Sequence, residues 1–349
     1  MTISDLEFYL VDVGRAGSRA ATRSMLVRLA TDSGLEGWGE SRVGWREGEL
    51  SARRDALLPV LAGRSVFDIE ELLTLKVLQD APLRCALEMA SWDLVGRIAG
   101  QPLCHLFGGG YRQRIPLAVR LAGASDSQLA QAARELAVQG FHWQIIASVG
   151  RFETDLAIVR AVRESVGAHV QLRLDVAGHY DPPTARELCR ELEDAQVQFL
   201  IDPIHDAALP QLAALGRQTS VPLAVWRGIH DSSDVLAVAR SGNVPFVVVD
   251  LEQVGGLTPA RNCAAVAQAG GLSAVLASGP SLGVAVAAML HLAASTPAFS
   301  SCNECTYYQL RDDVLVEPLE ISHGMMAVPQ GAGLGIEGDR AKIEKYQVA

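Results

Sequence analysis

Residues 170–202 read VQLRLDVAGHYDPPTARELCRELEDAQVQFLID. Two apolar runs lie in this stretch, at residues 170–175 and 197–202, and each of them ends in an aspartate. Between them, Asp181 places a side-chain oxygen before two prolines, which is typical of the first turn of a helix. The stretch therefore predicts a strand, a helix and a second strand, with a carboxylate at the end of each strand.

The same unit repeats towards the C-terminus. Four further apolar runs end in a polar residue, at 221–227, 244–250, 273–278 and 299–304. The six ends follow one another at intervals of 27, 25, 23, 28 and 26 residues, the length of one strand plus one crossover helix. Two more predicted strands lie upstream, at 115–121 and 141–148. Eight such strands predict a (β/α)-barrel, which gathers all strand ends at one mouth, where these barrels carry their active sites.

Residues 1–112 do not follow this repeat. Three predicted strands (6–13, 24–29 and 34–40) are followed by three segments with helical spacing (49–61, 69–78 and 83–99). We therefore predict an α/β protein with three parts. These are a small α+β domain at 1–112, a modified, TIM-like (β/α)-barrel at 113–317, and a C-terminal segment at 318–349 that returns to the N-terminal domain.

Composition and local patterns exclude several classes of function. The formal net charge of −10 over 349 residues argues against nucleic acid as a partner, because phosphate binding needs clustered positive charge. The most apolar segment, 282–294, is too short to span a bilayer and predicts a buried helix, so we expect no membrane partner. Elsewhere in the barrel region, Thr258 stands before Pro259 and predicts the capped start of another helix, as Asp181 does before its two prolines. Six cysteines without a disulfide framework and no recognisable signal peptide favour the cytoplasm.

Several segments resemble the mandelate racemase and muconate lactonising enzyme group of the enolase superfamily. They cover nearly the whole chain in the family's order: 27–40, 86–94, 100–109, Asp175, Asp202-Pro203, 222–224, 254–260 and 331–335. The resemblance implies that the N-terminal domain caps the mouth of the barrel. It also implies a magnesium ion, bound by carboxylates ending the third, fourth and fifth barrel strands, that holds a substrate carboxylate while a base removes the neighbouring proton.

The fifth position of that metal site is occupied by Arg227. Asp175 and Asp202 match the third and fourth positions, although Asp202 is shorter than the family's usual glutamate. A guanidinium is permanently positive and has no acceptor atom, whereas magnesium requires oxygen ligands. We therefore expect Asp175 and Asp202 to be the remnant of a metal site, with no cofactor bound; Mg²⁺ held weakly by both aspartates is the less favoured alternative.

The bases implied by the resemblance are also absent. The family's second barrel strand normally ends in Lys-x-Lys, whereas residues 144–148 read QIIAS, which places either Ile145 and Ala147 or Ile146 and Ser148 there.

On the sixth strand, Asp250 matches the aspartate of the racemase branch, but the seventh-strand residues 277–280 include no histidine to pair with it. Glu304 matches an eighth-strand glutamate that donates a proton or hydrogen bond to the substrate carboxylate.

Arg227 is the candidate around which the site is predicted. Its guanidinium would neutralise the charges of Asp175 and Asp202, either as a counter-ion alone or with one edge left for a substrate carboxylate. The candidate groups for proton transfer are Asp250 and His179, with Glu304 assisting. The predicted substrate contacts, from the mouth and the capping loop, are Arg15, Arg19, Ser148, Tyr180 and Ser278.

These features predict an isomerase or lyase of the racemase type that acts on a small carboxylate, such as an acid sugar, hydroxy acid or lactone, without Mg²⁺. The alternative is an inactive pseudoenzyme or binding protein on the same fold. A small anionic substrate is the expected partner. By analogy with the family, we expect a homo-oligomer, either a dimer or an octamer.

Overall fold

The computed structural model describes residues 1–16, 23–205 and 209–348. It begins with an antiparallel sheet of three strands, followed by four helices. The elements are β1 (Ile3–Asp12), β2 (Arg23–Thr31), β3 (Glu36–Ser41), α1 (Leu50–Leu61), α2 (Ile69–Leu73), α3 (Ala81–Ala99) and α4 (Leu103–Leu106). Strand β3 packs directly on α3, because a Cβ at Gly39 would lie only 1.9 Å from the carbonyl oxygen of Ala86. This is the α+β domain expected from the sequence.

Eight parallel strands form a closed barrel. They are β4 (Arg114–Arg120), β5 (Trp143–Ala147), β6 (Gln171–Asp175), β7 (Val197–Ile201), β8 (Leu223–Val225), β9 (Phe246–Asp250), β10 (Ser273–Ala277) and β11 (Asn303–Glu304). The barrel closes because β11 pairs with β10 on one side and with β4 on the other. Strands β8 and β11 are shorter than the predicted runs, because β8 begins two residues later and ends two residues earlier, and β11 begins only at Asn303.

Helices alternate with these strands. They are α5 (Asp126–Val138), α6 (Phe152–Val166), α7 (Pro182–Glu191), α8 (Leu209–Gly216), α9 (Ser232–Ser241), α10 (Leu251–Val254), α11 (Leu257–Ala269) and α12 (Gly283–Ser295). Asp181 caps α7 as predicted, accepting a hydrogen bond from the Thr184 N–H. Residues 283–294 of α12 are all buried, which confirms the predicted buried helix. Within the described ranges, every helix is too short or too polar to cross a membrane.

The C-terminal segment is divided between the two domains. Strands β12 (Ile321–Ser322) and β13 (Met325–Ala327) form a hairpin, and β13 pairs antiparallel with barrel strand β4. Beyond this hairpin the segment reaches the N-terminal domain, where the Val348 N–H donates to the Leu10 carbonyl after α13 (Arg340–Tyr346). The prediction that 318–349 as a whole returns to that domain is therefore corrected for the hairpin.

Helix α11 is capped by the N-terminal domain and not by its own sequence. It begins at Leu257, so the predicted cap, Thr258, lies inside the helix. The carboxylate of Glu88, on α3, accepts hydrogen bonds from the N–H groups of Leu257 (2.5 Å) and Thr258 (2.8 Å). Gly256 makes room for it, because a Cβ there would lie 2.3 Å from Glu88 Oε2. The prediction for Thr258 was wrong because the capping group comes from a distant part of the chain.

A second carboxylate joins the domains at α12. Glu40, at the end of β3, accepts hydrogen bonds from the N–H groups of Leu282 (2.6 Å) and Ala285 (2.9 Å) in the first turn of α12, and from the Ser24 hydroxyl. Burial raises the pKa of the Glu40 carboxyl to about 7, although the two N–H groups act against that change. Together, Glu40 and Glu88 fix the N-terminal domain over the barrel.

Candidate active site

Polar side chains collect at the ends of the barrel strands. Along each strand, successive side chains point alternately into and out of the barrel. A buried cluster fills the interior with Phe199, Ile201, Ala224, Val248, Val275 and Ala277. On β9, Asp250 follows Val248 by two residues and therefore faces the mouth. In the strand register, Asp250 is paired with Ala277 on β10, and Ala277 is paired with Glu304 on β11.

Arg227 holds two carboxylates together, as the sequence predicts for a guanidinium at this position. Its Nη1 lies 2.9 Å from Asp175 Oδ1 and 2.8 Å from Asp202 Oδ2, and its Nη2 lies 3.1 Å from Asp175 Oδ2. Asp202 also accepts from the backbone N–H of Arg227 (3.0 Å). The Asp202 backbone has a φ of 45°, in the left-handed region that residues other than glycine rarely adopt. The chain is thus strained at the residue that anchors this pair.

One edge of the Arg227 guanidinium remains open. Both Nη1 hydrogens and one Nη2 hydrogen are used by the two aspartates, which accounts for three of the five donors of a guanidinium. Among residues 1–16, 23–205 and 209–348, no group pairs with the Nε–H and the second Nη2–H. The side chain is 46% exposed. Its side edge can therefore receive a bidentate anion.

Arg120, at the end of β4, forms a second guanidinium centre that the sequence prediction missed. Its Nη2 lies 2.9 Å from both Asp175 Oδ2 and Glu304 Oε1, and its Nε lies 3.1 Å from Glu304 Oε1. The ring of Trp226 lies near both arginines, with its centroid 5.9 Å from Arg120 Cζ and 5.3 Å from Arg227 Cζ. The predicted run 115–121 did not end in a polar residue, so Arg120, one position earlier, gave no signal. Counting alternate residues from the interior Ala118 would have found it.

The two arginines set the charge state of the central carboxylate. Burial by itself would raise the pKa of the Asp175 carboxyl, but the bonds from Arg227 and Arg120 hold that pKa below its usual value. Asp175 is therefore ionised throughout the physiological range. It serves as the bridge between two cations and is not available as a proton donor.

Asp250 has the opposite environment. It is 6% exposed and caps α10, accepting from the N–H groups of Glu252 (3.0 Å) and Gln253 (3.4 Å). Burial, with the nearby Glu252 charge, raises the pKa of the Asp250 carboxyl to about 6, while Arg42 acts in the opposite direction. A carboxylate with this pKa is a suitable proton acceptor near neutral pH.

Comparison with known proteins gives the family. Residues 12–108 match the N-terminal domain of mandelate racemase / muconate lactonizing enzyme, and residues 128–342 match the family described as enolase C-terminal domain-like. The chain belongs to the mandelate racemase / muconate lactonizing enzyme group of the enolase superfamily. The predicted fold, a (β/α)-barrel with an N-terminal capping domain, is confirmed.

Relatives within this group are isomerases and lyases. The chain is 28% identical over 332 residues to the L-Ala-D/L-Glu epimerase of Bacillus subtilis (strain 168), covering 90% of the chain and 89% of the epimerase. It is 30% identical over 338 residues to a D-galactonate dehydratase family member of Streptomyces sp. (strain SPB78), covering 84% and 75%. The crystal structure of 2-chloromuconate cycloisomerase from Rhodococcus opacus 1CP matches it with a TM-score of 0.92 at 26% identity, over 99% of both chains. The chain therefore belongs to a group of enzymes that includes isomerases and lyases.

The residues at the family's magnesium position do not fit the ion. Arg227 Nη1 lies within hydrogen-bond distance of both Asp175 and Asp202, so a cation already occupies the space between the two carboxylates. Among the described residues, no group of three His, Cys, Asp or Glu side chains is arranged to hold a metal ion. Two carboxylates that are each bonded to a guanidinium offer Mg²⁺ neither the charge nor the free oxygens that it requires.

The strand register decides between the two alignments of the family's Lys-x-Lys. Ile145 packs inside the barrel with Cys302, and Ala147 lies level with Asp175 at the mouth. The inward positions are therefore held by isoleucine and alanine, and Ser148 lies one residue further along. No basic side chain reaches the mouth from this strand.

Three predicted site residues belong to a separate cluster around the buried Asp155. Tyr180 is buried and donates to Asp155 Oδ2 at 2.5 Å, and Ser148 Oγ also donates to that oxygen. The exposed His179 lies beside Ser148, with 3.1 Å between Nδ1 and Oγ. Burial, together with the hydrogen bond to Asp155, raises the pKa of the Tyr180 phenol. Tyr180, predicted as a substrate contact, is thus buried against Asp155, while His179 as an acid or base and Ser148 as a substrate contact stay predictions.

Two more predicted substrate contacts are buried. Arg15 is 5% exposed, and its guanidinium donates to the carbonyl oxygens of Ser281 (2.7 Å) and Thr306 (3.2 Å). Ser278 is 4% exposed, and its backbone N–H donates to the Glu304 carbonyl. Both residues lie beside the loops after β10 and β11, and their predicted contacts with a substrate stay predictions. Arg19 lies outside the described residues.

A pocket of about 510 Å³ adjoins Arg227 at the rim of the barrel. Besides Arg227 and Asp202, its lining includes His205, Leu212 and Asp234, from the loops and helices that follow β7 and β8. The lining mixes charged and apolar side chains, which gives room beside the arginine for the remainder of a small ligand.

Proposed function

We propose that this enzyme is an isomerase or lyase that activates a small carboxylate without Mg²⁺, with Arg227 as the group that binds the reacting anion. The open side edge of the Arg227 guanidinium carries this proposal. Asp175 and Asp202 hold the other side of the guanidinium, so the open edge is fixed before the substrate arrives. A carboxylate bound there would make two parallel N–H···O bonds, which are among the stronger hydrogen bonds in proteins.

Arg120 adds a second positive charge to the same region. It is bonded to Glu304 and Asp175 through Nε and Nη2, so Nη1 carries no bond to a described residue. Negative charge that develops on the substrate during the reaction would be stabilised by both cations, which are already oriented by the carboxylates behind them. Glu304 acts here by positioning Arg120.

The size of this stabilisation limits the chemistry. A guanidinium carries one positive charge spread over three nitrogens, and Coulomb attraction falls in proportion to the charge. An enediolate would therefore be less stabilised than by a divalent ion. Reactions with a lower barrier suit the site: β-elimination, tautomerisation at an acidic carbon, or lactone chemistry on an acid sugar or hydroxy acid.

Asp250 is the proposed proton acceptor. It faces the mouth from β9, and its pKa of about 6 leaves it ionised at neutral pH but still basic enough to accept a proton. No lysine lies between residues 77 and 341, so a lysine base from the barrel is not available. An Asp250→Asn variant is expected to keep the fold and lose turnover.

The test is exchange of substrate protons in deuterated water. The protein is incubated with a panel of acid sugars, hydroxy acids and lactones, with and without a chelator, and exchange and product formation are followed by NMR. We expect turnover that the chelator does not change, and a loss of about 10²–10³-fold in Arg227→Gln, comparable to removal of an oxyanion donor. Arg186→Gln, an exposed arginine on α7, is the matched control. Exchange that stops with the chelator would eliminate the metal-free mechanism.

A binding protein on the same fold is the second candidate. The observation in its favour is the pair Ile145 and Ala147, which leaves the second strand without a base. In that case, one ligand of the panel would bind by calorimetry with an affinity that depends on Arg227, while no proton exchange occurs.

A further inference from the structure

The loop after β10 has an unusual contact at Gly279. A Cβ added to this glycine would lie 2.7 Å from Nη2 and 3.0 Å from Cζ of Arg42. Arg42 follows β3 of the capping domain directly, so its guanidinium fills the space that a side chain after the seventh barrel strand would take. Any larger residue at position 279 must displace that guanidinium.

Arg42 is fixed in this place by Glu252. Its Nε lies 2.9 Å and its Nη2 2.8 Å from Glu252 Oε2, and its backbone N–H donates to Glu252 Oε1 at 2.9 Å. Glu252 stands two residues beyond Asp250, and its own N–H donates to Asp250 Oδ1. Arg42, Glu252 and Asp250 thus form one connected group that crosses from the capping domain to the barrel.

We propose that Arg42 is a positioning residue that replaces the missing side chain of Gly279 and keeps Asp250 ionised as the proton acceptor. The part that concerns proton transfer rests on the proposed function of Asp250. In this arrangement the capping domain contributes to the base, because the cation bonded to Glu252, two residues from Asp250, comes from outside the barrel.

The other groups near Asp250 make this cation necessary. Glu252 places a like charge beside the carboxylate, the buried Cys85 thiol lies within electrostatic range of it, and Glu40 lies within range of Arg42. None of these three favours ionisation of Asp250. The N–H groups at the start of α10 and the Arg42 guanidinium do favour it. Without Arg42, the neighbouring carboxylates Asp250 and Glu252 would lose the cation that is bonded to Glu252, and one of them would retain its proton.

The experiment is a pH titration of the Asp250 carboxyl by NMR of protein labelled with ¹³C at the aspartate carboxyl carbon. Asp250→Asn identifies the signal. We expect Arg42→Met to raise the midpoint by at least about one pH unit, since an opposite charge at this range lowers a carboxyl pKa by 1–3 units. Arg42→Lys, which keeps the charge, is expected to restore part of the shift.

Gly279→Ala provides an independent test, because it keeps the arginine and only displaces the guanidinium. The same upward shift is expected. Gly48→Ala, at a position where an added Cβ meets nothing within 4 Å, is the control and should leave the midpoint unchanged. A midpoint that stays at the wild-type value in both Arg42→Met and Gly279→Ala would overturn the proposal.

This titration needs no substrate, so its result does not depend on the proposed reaction. If the midpoint shifts but no compound shows proton exchange, the placement of Arg42 stands and the role of Asp250 as a base fails. Where turnover is found, the acidic limb of the kcat/KM profile should move with the NMR midpoint; a limb that stays in place would show that Asp250 is not the acceptor.

Discussion

Asp175 is shared by two arginines, and each arginine holds one further carboxylate. Arg227 bonds to Asp202 and Arg120 bonds to Glu304, so the chain of five groups alternates in sign. A magnesium site of the family type would have three carboxylates and no cation at the equivalent strand ends. Changing residue 227 from a glutamate to an arginine therefore changes the local charge by two units and removes one ligand.

This difference predicts that Arg227→Glu gains affinity for Mg²⁺. The variant removes the cation and places a third carboxylate near Asp175 and Asp202, which supplies hard oxygen ligands. We expect saturable Mg²⁺ binding by calorimetry, with an increase in melting temperature that grows with ion concentration. Arg227→Gln, which removes the charge without adding a carboxylate, should bind the ion more weakly. Equal affinity in the two variants would show that position 227 does not line up with the two aspartates.

The sequence predicted these three residues because each stands at the end of an apolar run. That rule works where the strand end itself is the site, as for Asp175, Asp202 and Arg227. It could not predict that Tyr180 and Arg15 are buried. Burial of a polar side chain requires a partner, and the partner of Tyr180 is Asp155, 25 residues away in the chain. Distant pairings of this kind leave no local signal.

Among the helices, α11 shows how the capping domain contributes to the barrel. Its first N–H groups bond to Glu88 on α3, and Trp92 Nε1 donates to the same carboxylate at 3.2 Å. The helix is thus completed only when both domains are folded. The strands, in contrast, were predicted within a few residues, since their alternating or continuous apolar character is local.

We expect Glu88→Gln to destabilise the protein by about 1–3 kcal/mol, because one of the two N–H groups would face an amide NH₂ and lose its acceptor. The free energy of unfolding is measured by urea denaturation. Glu70→Gln, the same chemical change at an exposed position on α2, should have little effect. If the two variants unfold at the same urea concentration, Glu88 does not stabilise α11 in the way described.

Across the whole molecule, buried carboxylates of the capping domain hold it to the barrel and to the C-terminal segment. Glu40 binds the start of α12, Glu88 binds the start of α11, and Asp93 accepts from the N–H of Leu334 at 2.8 Å. Burial raises the pKa of all three carboxyls. The contact between the domains should therefore weaken as pH rises, and Glu40 offers the clearest measurement of this effect.

The folded protein holds a proton on Glu40 up to pH about 7, whereas the unfolded chain releases it near 4.5, the ordinary value of a glutamate. Between these values the folded state binds more protons, so the free energy of unfolding falls as pH rises, by about 3 kcal/mol in total for this one group. Below pH 4.5 its full contribution is present, and above 7 no further loss occurs. Glu40→Gln carries no titrating group at this position and should lose less stability over the same pH window.

The measurement is the midpoint of urea unfolding at a series of pH values from 4.5 to 8 for wild type, Glu40→Gln and the exposed control Glu320→Gln. Because all other groups titrate alike in the three proteins, the difference between two curves isolates one carboxyl. The control should run parallel to wild type, while the Glu40→Gln curve should be flatter. Parallel curves for all three would mean that Glu40 stays ionised across the window, with its two backbone N–H bonds outweighing the cost of burial.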